Sequence, residues 1–206
     1  KLATSRQIDP EAYQAYLKGR AEWPKYTLEG FQEAERQFRL AIKIAPDYAP
    51  AWAGLADAAY GMSSLYMPAN EAMPKARAAA EKALALDPNL AEAHTSYGIV
   101  KMVYDWDWAG AEREFDRAIA LRPGESNANL WRGSLLVRLG RFDEGLASSR
   151  RALDLDPLSS FCSAIVGQNL YFARLYDQAL EHLQGTIPMA PDYYYFQFIL
   201  GVVLEQ

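Results

Sequence analysis

Prolines recur along this 206-residue chain at nearly equal intervals, and each one follows a short apolar segment. The recurring residues are Pro46, Pro88, Pro123, Pro157 and Pro191. Successive prolines are separated by 42, 35, 34 and 34 residues. Proline lacks a backbone N–H and its ring clashes with the preceding helical turn, so it marks the end of a helix. The interval therefore predicts an array of repeated helical units.

Small residues recur in register with these prolines. The position twelve residues before each proline holds Ala34, Ala76, Ala111, Gly145 and Ala179. Earlier in three of the units, Gly98, Gly133 and Gly167 follow one another at 34 or 35 residues. Glycine inside a helix costs up to about 1 kcal/mol, so its recurrence indicates that a second helix approaches closely there. Each unit is predicted to be a pair of packed antiparallel helices.

This spacing of small residues, aromatic residues and prolines resembles the tetratricopeptide repeat over nearly the whole chain. The resemblance implies an all-α fold, a right-handed superhelical solenoid of antiparallel helix pairs. We expect a single array over 1–206, in which the second repeat carries an insertion at 63–70. The expected repeats are 12–48, 49–90, 91–125, 126–159 and 160–193, followed by a truncated sixth repeat at 194–206.

A narrower resemblance is carried by segments such as "PKARAAAEKALALDPNLAEAHTSYGIVKMVYDWDWAGAEREFDRAI" and "LGRFDEGLASSRRALDLDPLS". They are similar to the repeat regions of large bacterial signalling proteins. In those proteins such a region commonly follows an adenylate cyclase, a serine/threonine kinase or a winged-helix DNA-binding domain. The chain begins without methionine and stops within an apolar run, so we expect it to be part of such a longer protein.

The stretch "YDWDW" at 104–108 admits two interpretations. In the first, Trp108 packs between paired helices, Trp106 occupies the glycine position of a turn, and Asp107 caps the next helix. In the second, the alternating rings and carboxylates bind a sugar or a cation. Packing and capping account for most of these residues, so we favour the structural interpretation.

Catalytic and cofactor motifs are scarce. The two histidines, His94 and His182, are 88 residues apart, and Cys162 is the single cysteine. The sequence has no HExxH motif, no paired cysteines and no phosphate-binding glycine loop, so we expect no catalytic residue, cofactor or metal ion. The net charge of −5 argues against binding nucleic acid, and no apolar run is long enough to predict membrane insertion.

A partner-binding groove follows from the resemblance, because the first helix of each repeat lines the inner surface of such arrays. We expect a peptide or a partner helix to bind there through aromatic anchors. Aromatic packing between adjacent repeats is the alternative for each residue. The positions expected to face the groove are Tyr13, Tyr16, Arg20, Trp23, Asp57, Tyr60, Glu92, Thr95, Met102, Asn127, Arg138, Gln168, Tyr171 and Phe172.

The sequence therefore predicts a non-enzymatic scaffold that binds a protein or peptide of unknown identity, as the regulatory arm of a bacterial signalling protein. Two alternatives stay open. One is a small-ligand sensor in which 104–108 and the insertion at 63–70 form a pocket. The other is an oligomerisation module, with self-association through the apolar C-terminal helix at 194–206. We expect a cytoplasmic location, or a periplasmic one if the parent protein has an upstream membrane span.

Overall fold

A computed structural model describes residues 8–189 and 194–205. Within these residues the secondary structure is helical and no strand occurs. The α-helices are α1 (Pro10–Glu22), α2 (Leu28–Ile44), α3 (Ala49–Leu65), α4 (Ala69–Leu86), α5 (Ala91–Val100), α6 (Trp108–Leu121), α7 (Ser126–Arg138), α8 (Phe142–Leu155), α9 (Ser160–Phe172), α10 (Tyr176–Thr186) and α11 (Tyr194–Leu204). The predicted all-α fold is confirmed.

The chain divides into two compact units, residues 1–107 and residues 108–206. In the first unit α1 packs against α2, α3 packs against α4, and α3 also contacts α5. In the second unit the close pairs are α7 with α8 and α9 with α10. No helix in the described ranges is long and apolar enough to span a membrane. The repeat boundaries given above remain a prediction.

The repeat prolines end helices as predicted. α2, α4, α6 and α8 each stop two residues before a proline of the series. The residue before a proline is sterically excluded from the α-helical region, so the helix cannot continue into it. Asp87, which precedes Pro88, accordingly has extended backbone angles. The last member of the series, Pro191, lies outside the described residues.

The turns within the helix pairs share a left-handed residue. Tyr26, Trp106, Gly140 and Arg174 have φ values of 54°, 58°, 79° and 60°. Each lies two residues before the next α-helix, and the last three follow one another at intervals of 34 residues. Glycine adopts this conformation at no steric cost, whereas other L-residues are strained in it. The prediction that Trp106 occupies a glycine position is therefore confirmed.

The repeated small residues lie in the core. All five residues at the repeated small position (Ala34, Ala76, Ala111, Gly145 and Ala179) are buried. Because they carry a methyl group or a hydrogen, the neighbouring helix can approach their backbone. The larger core side chains then fill the space between the pairs, and Phe31, Phe38 and Phe115 are completely buried.

Candidate functional site

Asp57 joins three helices of the first unit. The Arg20 guanidinium of α1 donates a hydrogen bond to Asp57 Oδ2 on α3 at 3.2 Å. The Ser96 hydroxyl of α5 lies 2.6 Å from Asp57 Oδ1 and 2.9 Å from the Glu92 carbonyl oxygen. Polar side chains of α1, α3 and α5 thus meet at one carboxylate. Ser96 was not among the predicted residues.

Burial dominates the electrostatics at Asp57. It raises the pKa of the Asp57 carboxyl, and the negative charge of Glu92 acts in the same direction. Arg20 and the Ser96 hydroxyl lower that pKa by favouring the carboxylate, but they do not cancel the effect of burial. The folded chain therefore holds this acid in surroundings that favour its protonated form.

This pKa shift has a measurable consequence for stability. In the unfolded chain the Asp57 carboxyl is exposed to water and ionises above about pH 4. In the folded chain the same ionisation places a charge in a buried position. The raised pKa therefore lowers the stability of the fold at neutral pH. We expect wild type to gain stability relative to Asp57→Asn as the pH falls from neutral to about 4. Urea unfolding of both proteins across this range measures the difference. A difference that does not change with pH would contradict the shift.

Tyrosine rings lie next to this polar junction. The Tyr13 and Tyr16 rings of α1 stack with centroids 6.4 Å apart, and the Tyr48 ring meets Tyr16 edge-on at 5.4 Å. Burial first, then the neighbouring Tyr16, Tyr13 and Glu92, raise the pKa of Tyr48 to about 12. Tyr13 remains 43% exposed. We call Tyr13, Tyr16, Tyr48, Asp57 and Glu92 together the acid–tyrosine surface.

Tyr48 was missed by the sequence reasoning because it lies just before α3, outside the helical positions that the repeat pattern assigns to a groove. The sequence feature that could have indicated Tyr48 is its position directly after Pro46 and Asp47, where a turn redirects the chain. Ser96 gave a weaker signal. It follows Glu92 by four residues and so lies above it on one helix face.

Three other predicted groove residues of the first unit belong to the interior, and a fourth is half-buried against it. Trp23 is 8% exposed, while Thr95 and Met102 are each 4% exposed. Tyr60 packs against the buried cluster that contains Met73. For these side chains the structure supports the alternative, aromatic and apolar packing. They are not part of the acid–tyrosine surface.

The predicted residues of the second unit form a separate aromatic group. The Gln168 amide donates to the Tyr195 hydroxyl at 2.7 Å. The Arg138 guanidinium lies 5.4 Å from the centre of the Phe172 ring, which contacts Tyr171 with centroids 5.6 Å apart. Phe172 is 42% exposed. Asn127, at the start of α7, is half-buried.

Tyr104, Asp105 and Asp107 of the 104–108 stretch have partners within the first unit. Arg77 forms an ion pair with Asp105 and lies 5.5 Å from the centre of the Tyr104 ring. Lys101 binds the Asp107 carboxylate at 3.2 Å and lies 4.7 Å from the Tyr97 ring centre. Both carboxylates therefore have cationic partners from the protein itself. The helix-capping role predicted for Asp107 stays a prediction.

The tryptophans of this stretch differ from expectation in one respect. Trp106 is 72% exposed at its left-handed turn. Trp108 was expected to be a core residue, but it is 44% exposed. The prediction that its ring is buried between paired helices is wrong.

Nucleophilic and metal-binding chemistry has little support among the described residues. Burial raises the pKa of the Cys162 thiol to about 12, so it stays protonated at neutral pH. His182 Nε2 lies 3.1 Å from the Ser163 hydroxyl, but it also lies 3.0 Å from the Ser163 carbonyl oxygen, and Ser163 is buried. A search of residues 8–189 and 194–205 finds no group of three His, Cys, Asp or Glu side chains placed to hold a metal ion.

The helix-pair geometry agrees with comparisons to known proteins. The family model described as Tetratricopeptide repeat matches residues 106–160. The crystal structure of TTC0263, a TPR protein of Thermus thermophilus, superimposes with a TM-score of 0.72 at 18% identity, over 95% of this chain and 100% of that one. The chain has the helical-repeat fold of tetratricopeptide-repeat proteins, and residues 106–160 match the model of that family.

Two further likenesses bear on this repeat protein. YrrB, described as a TPR protein with an unusual peptide-binding site, superimposes with a TM-score of 0.52 at 19% identity, covering 95% of this chain and 92% of that one. The transcriptional regulator HilA of Salmonella typhimurium is 26% identical over 143 residues. That match covers 69% of this chain, and it spans 26% of the length of the relative.

Proposed function

We propose that this repeat protein is a non-enzymatic module that binds a protein or peptide partner through the acid–tyrosine surface. The tetratricopeptide fold supports an interaction role in general. The observation that carries the proposal is the junction at Asp57. There Arg20 of α1 and Ser96 of α5 both donate hydrogen bonds to the Asp57 carboxylate of α3, with Glu92 and the tyrosines beside them. YrrB offers an analogy, since its description names a peptide-binding site on the same fold.

The chemistry of this surface favours a particular kind of peptide. Tyrosine rings provide broad contact area at low conformational cost, and their faces attract cations. A peptide that carries an aromatic or apolar anchor and a basic side chain fits both features.

Membership in a larger regulatory protein is the second part of the proposal. The match to HilA spans only 26% of that regulator's length, which agrees with an arrangement in which such repeats are one part of a longer chain. An attached adenylate cyclase, kinase or winged-helix DNA-binding domain would make this region its partner-binding arm. We propose a cytoplasmic location, or a periplasmic one if a membrane span precedes the repeats; the full reading frame tests both points.

A peptide selection tests the binding surface. From a random peptide library displayed on phage, we expect the chain to enrich peptides with basic and aromatic residues. Tyr13→Ala should weaken binding of the enriched peptides by about tenfold, because exposed aromatic anchors carry a large share of interface energy. Binding is measured by fluorescence polarisation with labelled peptides.

Lys18→Ala is the matched control, since Lys18 is an exposed residue of the same helix. It should leave peptide affinity unchanged, and both variants should unfold at the wild-type urea concentration. Selection of no peptide above background, or equal peptide affinity for wild type and Tyr13→Ala, would rule out this surface.

Self-association is a second candidate, favoured by the C-terminal helix. Phe198 and Leu204 of α11 are 58% and 63% exposed, and exposed apolar side chains on one helix favour contact with another protein surface. Such contact would make the repeats an oligomerisation module for an attached domain. Sedimentation velocity over a range of protein concentrations decides the matter, because a monomer throughout would refute it.

A further inference from the structure

A cavity of about 180 Å³ lies among α2, α3 and α4 of the first unit. Its apolar walls include Trp52, Leu55, Met62 and Met67. Met67 belongs to the insertion at 63–70, so the segment that interrupts the repeat pattern contributes a wall of the cavity. The cavity shares no residue with the acid–tyrosine surface, and none of residues 104–108 lines it.

The polar side chains that line this cavity leave one positive charge in excess. Arg39 donates two hydrogen bonds to Glu35 Oε1, at 3.0 Å from Nε and 2.7 Å from Nη2, so these two charges offset each other. Lys75 is exposed, and in the described part of the chain its ammonium group forms no ion pair. The cavity therefore combines apolar walls with a cation available to a ligand.

From this combination we infer that the cavity binds a small amphipathic carboxylate, with one aromatic ring or a short aliphatic chain attached to the acid group. An apolar protein cavity of about 150 Å³ accommodates a benzene ring, so the volume suits a single ring. The two methionine side chains adapt to irregular apolar shapes. Lys75 binds the carboxylate at the exposed side, where a charge-assisted hydrogen bond fixes the orientation of the ligand.

Charge distinguishes this ligand class from other apolar molecules of the same size. A neutral ring gains only the apolar contacts. A cationic ring places its charge beside the Lys75 ammonium, which is unfavourable. The proposal therefore requires both that the walls accept the ring and that Lys75 selects the anion.

Isothermal titration calorimetry of the whole chain with 3-phenylpropionate tests the proposal. We expect saturable binding, and at least about tenfold weaker binding of 2-phenylethylammonium, which presents the same ring with the opposite charge. Lys75→Glu should lower the affinity for 3-phenylpropionate by at least about tenfold. Ala59→Leu, which fills the cavity from α3, should abolish binding.

Lys82→Glu is the matched control, because Lys82 is an exposed lysine of α4 that does not line the cavity. It should bind 3-phenylpropionate as wild type does. Absence of binding to wild type at millimolar ligand would overturn the proposal. Binding of 3-phenylpropionate that is unchanged in both Lys75→Glu and Ala59→Leu would also overturn it. Equal affinities of the wild type for 3-phenylpropionate and 2-phenylethylammonium would do the same. If Ala59→Leu instead abolishes capture of a protein partner while no carboxylate binds, the cavity accepts an apolar side chain and the proposal fails.

Discussion

Replacing Phe38 with alanine is expected to lower the free energy of unfolding of the first unit by about 3–5 kcal/mol. The Phe38 ring is completely buried, and it lies directly against the backbones of two first helices. A Cβ atom at Gly19 on α1 would lie 2.7 Å from Phe38 Cε1, and one at Gly54 on α3 would lie 2.5 Å from the same atom. Removing the ring empties the space between three helices, which cannot all collapse into it.

Urea unfolding followed by circular dichroism measures the loss. Phe38→Leu should cost less, because it keeps most of the apolar volume. Leu40→Ala, on the same helix but 44% exposed, should change stability by no more than about 0.5 kcal/mol. Equal stabilities of Phe38→Ala and Leu40→Ala would show that the ring does not hold these helices together.

Phe38→Ala should also disturb the arrangement of the acid–tyrosine surface. α1 carries Tyr13 and Arg20, and α3 carries Asp57, so the distances between these groups depend on the two helices that Phe38 separates. The glycines that allow this close approach belong to the first helices, where the sequence showed recurring small residues. The packing of α1 and α3 and the arrangement of the candidate site therefore both depend on the buried Phe38 ring.

Local chemistry explains why the helix pairs could be predicted. Proline ends a helix through its own ring, and a left-handed turn favours glycine through its own backbone, so neither depends on distant residues. Both kinds of signal recur at the repeat interval and were found in the structure, including the left-handed Trp106. The agreement of several local rules identified the fold class.

Exposure could not be predicted in the same way, because it depends on neighbours. Met102 was assigned to the groove by counting along an α-helix, yet it lies in the π turn Lys101–Asp105. A π turn absorbs one extra residue, which agrees with the 35-residue spacing here, and it displaces the following side chains around the helix axis. The inserted residue was visible in the sequence, but its location in a π turn was not.

The prediction that Trp108 is buried was wrong for a related reason. Its counterpart in the first repeat, Phe31, is buried partly because the Tyr66 ring lies 6.1 Å from it and because Gly61 leaves room for it. Tyr66 comes from the insertion at 63–70, which only the second repeat contains. Equivalent positions in a repeat pattern therefore need not have equivalent burial, since the residues that cover them differ.

A second large effect is expected at Gly133. Gly133→Ala should destabilise the second unit by about 3 kcal/mol, because α7 and α8 are in direct backbone contact there. An added Cβ would lie 2.3 Å from Ser149 Oγ, 2.7 Å from the Gly145 carbonyl oxygen and 2.9 Å from Ser149 N. A hydroxyl can rotate away, but the two backbone atoms can move only if α8 shifts.

That shift would also disturb a buried hydrogen-bond network. The Asn169 amide of α9 donates to Ser134 Oγ on α7 at 3.1 Å and to Ser149 Oγ on α8 at 3.0 Å. Asn169 is completely buried, so a lost hydrogen bond there could not be replaced by water at the surface. The cost of Gly133→Ala should therefore exceed that of the steric overlap alone.

Gly185→Ala provides the matched control, because a Cβ atom added at this position in α10 would have no atom within 4 Å apart from the backbone of its own helix and its chain neighbours. Alanine there should stabilise the chain by about 0.5–1 kcal/mol, since it restricts the unfolded chain and favours the helix. Urea unfolding compares the two variants, and hydrogen exchange of the α7 and α8 amides locates the effect. Opposite signs for the same chemical change would show that the contact of α7 with α8, rather than glycine's helix propensity, explains the recurrent glycine. Stabilisation by both substitutions would mean that these helices have room to separate.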